Sequence, residues 1–140
     1  MNSIKPTNMK HLLLSTFLFI AILSFSQTAI SPSYAIGLSK GYIAKAMGNV
    51  YTLKSTENGA AFMIYDYANF QYQLTLNSDY ICYYATCYIH NAAAYNSAIQ
   101  ELNSHCKFIE NNTWVNEFGG VIVAHKNVYQ SGTVYSITYY

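Results

Sequence analysis

YICYYATCYIH (residues 80–90) decides the fold, because the stretch that follows it, NAAAYNSAIQELNSHCKFI (91–109), has a different period. The first stretch is dominated by aromatic and β-branched residues and alternates as a strand does. Ile81, Tyr83, Ala85, Cys87 and Ile89 make its more apolar face; Tyr80, Cys82, Tyr84, Thr86 and Tyr88 make the other. In the second stretch Asn91 suits a helix N-cap, and Ala92, Ala93 and Ala94 favour helix. Tyr95, Ile99, Leu102, Cys106 and Ile109 recur at three- and four-residue steps, which predicts one amphipathic helix over about 91–109. Asn111-Asn112 reads as its left-handed stop.

Working outward, strand patterns flank this pair. VYTLKS (50–55) and AAFMIYDY (60–67) are joined by TENG, whose Asn58-Gly59 is a hairpin signal. FQYQLTL (70–76) alternates Phe70, Tyr72, Leu74 and Leu76 against Gln71, Gln73 and Thr75, and Asn77-Ser78-Asp79 closes it. Beyond the helix, TWVNEF (113–118), GGVIVAHKNVY (119–129) and TVYSITYY (133–140) read as two or three strands, the last two linked by Gln130-Ser131-Gly132. Residues 36–48 fit either an irregular lead-in or a short helix. No internal repeat is visible. The expected fold is α+β: a mostly antiparallel sheet of about five or six strands with the one helix across a face.

The chain opens like an export signal. Lys5, Lys10 and His11 precede the apolar run LLLSTFLFIAIL (12–23), which is too short to span a bilayer comfortably, and small residues flank Tyr34 at Ser33 and Ala35. Met9 is an alternative start. Residues 1–35 are accordingly read as a signal peptide and 36–140 as one small domain, exported to the periplasm or the extracellular space, with no membrane contact after cleavage. No lipobox cysteine follows the apolar run. An outer-membrane barrel fails on phase, since Thr138, Ser136 and Val134, counted back from Tyr140, are too polar for a lipid-facing row.

Composition narrows the chemistry. The chain holds 15 tyrosines and only 9% charged residues, with lysine but no arginine. Arginine is the usual bidentate phosphate ligand and no basic run is present, so nucleic acid is not expected as a partner. In an oxidising compartment the default fate of cysteines in a small domain is a disulfide. Cys106 lies about 22 Å along the helix, Cys82 about 26 Å back along the strand and Cys87 about 10 Å, so level favours Cys82–Cys106. Phase favours Cys87–Cys106 instead, and a bulge reconciles either. The expectation is Cys82–Cys106, with Cys87 left over.

No metal or cofactor is expected. Cys82-x4-Cys87-x2-His90 followed by His105-Cys106 is no common zinc spacing, and His90 and His105 stand at opposite ends of the helix. A catalytic reading would make Cys87 or Cys106 the nucleophile with His90, His105 or His125 as base, but both cysteines fall on apolar faces, where burial opposes a thiolate, and the chain has no arginine to counter it. Asp66, Asp79, Glu57, Glu101, Glu110 and Glu117 are scattered, so no catalytic residue is assigned. Asn111-Asn112-Thr113 is a glycosylation sequon, relevant in a eukaryotic host. His125 alternates with Val121 and Val123 as a sheet histidine.

What remains is a non-enzymatic exported binding protein, of inhibitor or immunity type, touching a protein partner or a glycan through Tyr80, Tyr84 and Tyr88. Tyrosine supplies rigid contact area at low entropic cost. The alternative is a glycan or small-molecule binder, or a weak cell-wall hydrolase, using an aromatic groove. A concave pocket with convergent polar groups marks the second; a broad aromatic face marks the first.

Overall fold

The computed structural model describes residues 32–140. A 3-10 turn, Pro32–Ala35, leads into helix α1 (Lys40–Met47). Strands β1 (Thr52–Ser55), β2 (Ala61–Asp66), β3 (Phe70–Leu76) and β4 (Cys82–Ile89) follow as a meander. Helix α2 (Ala92–His105) comes next, and then a second meander of β5 (Lys107–Glu110), β6 (Thr113–Val115), β7 (Val121–Tyr129) and β8 (Gly132–Tyr139). The fold is α+β, with one eight-stranded antiparallel sheet in the order β1-β2-β3-β4-β8-β7-β6-β5. Helix-then-meander thus occurs twice, and the last strands of the two meanders, β4 and β8, pair at the centre. Two halves without visible sequence repetition share one topology.

The expected five or six strands are therefore eight, and the helix is shorter than expected. Its first turn forms as read, with Asn91 Oδ1 accepting from the Ala94 N–H at 2.8 Å. It ends at His105 because residues 107–110 leave as an edge strand. Ile109 continues the helical spacing by coincidence and is exposed. Asn111 and Asn112, with φ of 46° and 58°, are not a helix stop but the two-residue turn between β5 and β6. That pair of left-handed residues suits a tight hairpin with the twist of its strands.

Register fixes what each face carries. On one face lie Met63, Leu74, Ala85, Ile137, Ile122 and Trp114, all buried and directly or nearly opposite one another across the strands. Ile43 from α1, and Tyr95 and Leu102 from α2, join this same core. Trp114 Nε1 donates to Asn103 Oδ1 at 2.9 Å, and the Tyr95 and Tyr135 rings meet at 4.9 Å, pinning α2 to β6 and β8 of the second meander. Tyr65 donates to the Gly48 carbonyl at 3.0 Å, holding the end of α1.

One irregularity changes the phase of β4. Leu76 pairs with Cys82 and Thr75 with Tyr84, so Tyr83 is an extra residue, a bulge. Cys82 consequently shares the covered face with Ala85 and Cys87 rather than the opposite face with Tyr84 and Tyr88, and only 1% of it is exposed. The start of β4 is also paired on its far side. Leu38 accepts from the Cys82 N–H at 2.9 Å, and the Gly37 N–H donates to the Cys82 carbonyl at 2.7 Å.

Residues 1–31, which contain the apolar run of the expected signal, lie outside the described residues. Pro32–Ala35, expected as its final residues, lie within them, and Ala35 is a 2%-exposed member of the core. No helix among the described residues is long and apolar enough to cross a membrane.

Candidate functional site

Both helices and the lead-in turn pack on the covered face, so no described segment lies over the other. On that open face the register builds three rows of side chains. The first crosses all eight strands: Lys54 opposite Phe62, Phe62 opposite Thr75, and Thr75 opposite Tyr84. It continues from the Tyr84 ring to the Tyr140 ring at 5.9 Å, and from Tyr140 to Val121 through a 2.9 Å backbone bond. Val115 and Lys107 finish it. The row is aromatic and aliphatic, about 34 Å long at about 4.8 Å per strand, with a lysine at each edge. Each edge strand is only four residues long. Short strands bearing lysine discourage edge-to-edge pairing.

The second row runs through Ile64, Gln73, Thr86 and Thr138, with the two threonine hydroxyls 3.2 Å apart, and Val123 beyond them; Ile64, Thr86 and Thr138 are buried. The third holds Asp66, Gln71, Tyr88, Ser136 and His125, and Gln71 Nε2 donates to Asp66 Oδ1 at 2.6 Å. Thr75 Oγ1, between Phe62 and Tyr84, is buried and without a hydrogen-bond partner. On β3, β4 and β8 this face carries no charged side chain at all.

Of the three tyrosines expected to form a surface, the structure keeps Tyr84 and Tyr88 on one face and removes Tyr80. Tyr80 precedes the bulge at φ 58°, in the turn before β4, beneath Lys40 Nζ at 5.0 Å from its ring. Two tyrosines that the alternation did not select take its place. Tyr83, in the bulge, meets Tyr84 edge-on at 4.7 Å, and Tyr140 arrives from the other half of the sheet. The bulge is not visible in the alternation, and the Tyr84–Tyr140 meeting depends on long-range strand order.

The cysteines do not form the expected Cys82–Cys106 bond: all three are free thiols. Cys82 is held in backbone hydrogen bonds with Gly37 and Leu38 of the lead-in, whereas Cys106 caps α2 and lines a cleft with Tyr139 and Glu117. Burial pushes the Cys82 thiol up to about 11, moderated by a backbone hydrogen bond at Tyr84, and pushes Cys87 up to about 12. Cys106 is pushed up too, first by burial and then by the Glu117 carboxylate. These groups are thiols, not thiolates, at neutral pH, so they are poor nucleophiles and poor metal ligands. Among the described residues no three His, Cys, Asp or Glu side chains stand where they would share a metal ion.

A second candidate, a cleft of about 990 Å3, opens where the C-terminal end of α2, the β6–β7 turn and the end of β8 meet. Ile36, Leu102, Ile122 and Tyr139 supply its apolar wall, and Tyr34, Phe118 and Tyr140 its other rings. Glu101, His105 and Glu117 are its charged or titratable rim, with His105 Nε2 and Glu101 Oε2 at 3.3 Å. The rim turn is built by Asn116, whose Oδ1 accepts from the N–H groups of Phe118 at 3.0 Å and Gly120 at 2.8 Å. A Cβ on Gly120 would stand 2.9 Å from the Asn116 amide, so glycine is needed there. The sequence carried a signal for this rim in Asn116-x-x-Gly119-Gly120, which fits a turn better than the strand expected over 113–118. Tyr140 belongs to both surfaces, lining the cleft and meeting the Tyr84 ring at a tilt of 34°.

Compared with family models, curated proteins and solved structures, the chain matches none.

Proposed function

We propose that this is a small exported, non-enzymatic binding protein that meets a protein partner through its open sheet face, in the manner of an inhibitor or immunity factor. The observation that carries this is the one-sided layering: every helix packs on one face, leaving an aromatic row on the other. Tyrosine is enriched and charge depleted at the centre of protein interfaces, and β3, β4 and β8 show that pattern here. Tyr83, Tyr84 and Tyr140 form a contiguous cluster, with Tyr88 two rows away beyond Thr86, and the tyrosine ring costs little entropy to immobilise. The thiols pushed up by burial argue against cysteine catalysis, and Glu101 and Glu117 are exposed rather than buried acids.

The test is partner capture from the native compartment by wild-type protein, by Tyr84→Ser/Tyr88→Ser/Tyr140→Ser protein, and by Tyr42→Ser protein altered on the exposed side of α1. A partner retained by the first and third and lost by the second supports the reading. Equal retention by all three sinks it.

The cleft favours a second reading, a small-molecule or glycan binder at an aromatic groove. Its volume is that of a drug-sized site, and apolar walls with a few convergent polar groups are what such sites show.

A further inference from the structure

From the charge pattern of the cleft we infer its ligand: a primary ammonium group on an apolar stem, held with the ammonium between Glu101 and Glu117 and the stem against the aromatic wall. This rests on the second reading above, that the cleft is a ligand site, and adds the chemical class of the ligand.

Three features select a cation. The fixed charges on the rim are both negative, and they come from separate elements, Glu101 from α2 and Glu117 from the β6–β7 turn. Among the described residues no lysine lines the cleft, and the chain has no arginine, so the lining holds no fixed positive charge; His105, its titratable base, already faces Glu101. Glu117 has no ion-pair partner among the described residues, and Glu101 has only His105, at 3.3 Å. An arriving ammonium therefore has an uncommitted carboxylate to meet.

The rings argue in the same direction. Tyr34, Phe118, Tyr139 and Tyr140 all line the cleft. An ammonium over an aromatic face is attracted by the ring quadrupole, more so as water is excluded, whereas a carboxylate is not. The stem requirement follows from Ile36, Leu102 and Ile122, which offer apolar contact in the wall of the cleft. The Asn116 turn holds Glu117 and Phe118 side by side on a fixed backbone, so the carboxylate and ring on that rim are positioned before the ligand arrives.

One chemistry has two sources, a free alkylamine or a lysine side chain presented by a peptide. The test uses hexylamine, hexanol and hexanoate, one stem length with three head groups, titrated into the protein by calorimetry and followed by NMR at Leu102 and Ile122. Hexylamine binding at least about tenfold tighter than hexanol, with hexanoate weakest, is the expected result. The Glu101→Gln/Glu117→Gln protein should keep its melting temperature, since both carboxylates are exposed, and should bind hexylamine no better than hexanol. If hexanol and hexylamine bind the wild type equally at the cleft, the groove reading stands and the ammonium inference falls. If none of the three shifts Leu102 or Ile122, both fall. A capped single lysine and a glycine-flanked lysine peptide form the last arm. Loss of binding by both in the double variant supports the ammonium site, the tighter of the two naming the source, and unchanged binding overturns it.

Discussion

The rings of Tyr84 and Tyr140 stand 5.9 Å apart across the junction of β4 and β8, the strands through which the two meanders pair. Tyr84 belongs to the first meander and Tyr140 follows the last strand of the second, so the aromatic row exists only once both halves are paired. The same pairing puts Tyr140 at the mouth of the cleft. One ring thus belongs to both the open face and the cleft.

Trp114 ties α2 to the sheet edge, and its removal should be felt globally. It is 2% exposed, bonds Asn103 and packs edge-on against Phe108 at 5.5 Å. Trp114→Ala is expected to cost about 3–5 kcal/mol, and Asn103→Ala about 1 kcal/mol, measured by denaturant unfolding. Equal, small losses would mean that the second helix is not anchored through the indole.

The bulge at Tyr83 makes a sharper prediction about register. Deleting the residue forces Cys82 out of phase, away from Leu76 and the Leu38 carbonyl. The expected loss is about 3 kcal/mol or more, whereas Tyr83→Ser, which keeps the extra residue at a half-exposed position, should stay within about 1 kcal/mol. A deletion as mild as the serine variant would show that the bulge does not set the phase.

Stability should fall in alkali, and the sign follows from direction. Burial raises Cys82 and Cys87 from 9.0, and raises Tyr65 from 10.0 to about 12; Tyr72 and Tyr139 are raised further still. Each of these acids is neutral in both states below its unfolded value, so their contribution is intact at neutral pH. Above about pH 9 the unfolded chain loses protons that the folded chain keeps, and stability declines as pH rises through the folded values. Melting temperatures measured from pH 7 to 11 should be level to about pH 9 and then drop. A flat profile to pH 11 would contradict the burial of these groups.

The lead-in should matter more than its position suggests. Ala35 lies in the core, and Tyr34 walls the cleft. Protein beginning at Ile36 is expected to melt several degrees below protein beginning at Pro32, by differential scanning calorimetry. Identical melting would place the domain boundary after Ala35, where the small residues at 33 and 35 suggest it.

Much of the fold was legible because local signals agreed. The Asn91 cap, the Asn58-Gly59 turn and the Phe70–Leu76 alternation each imply one structure, and each forms. β5 was not legible, because Cys106 and Ile109 extend the helical spacing while Asn111-Asn112 suits a helix stop and a hairpin turn equally. Tertiary pairing with β6 chose between them. The tyrosine face was half legible: strict alternation links Tyr80 to Tyr84 and Tyr88, and a single extra residue breaks that link. Nothing local announces the cleft, since Leu102, Glu117 and Tyr140 meet only through strand order.

The central claim is that the open face is where this protein touches its partner. Site-specific photo-cross-linking in the native compartment tests it most directly, with benzoylphenylalanine in place of Tyr84 in one protein and of Tyr42, 68% exposed on α1, in another. A discrete cross-linked product from position 84, lost when Tyr140→Ser is added, and none from position 42 is the predicted result. A product from position 42 with none from position 84 would place the contact on the helical side and contradict the account.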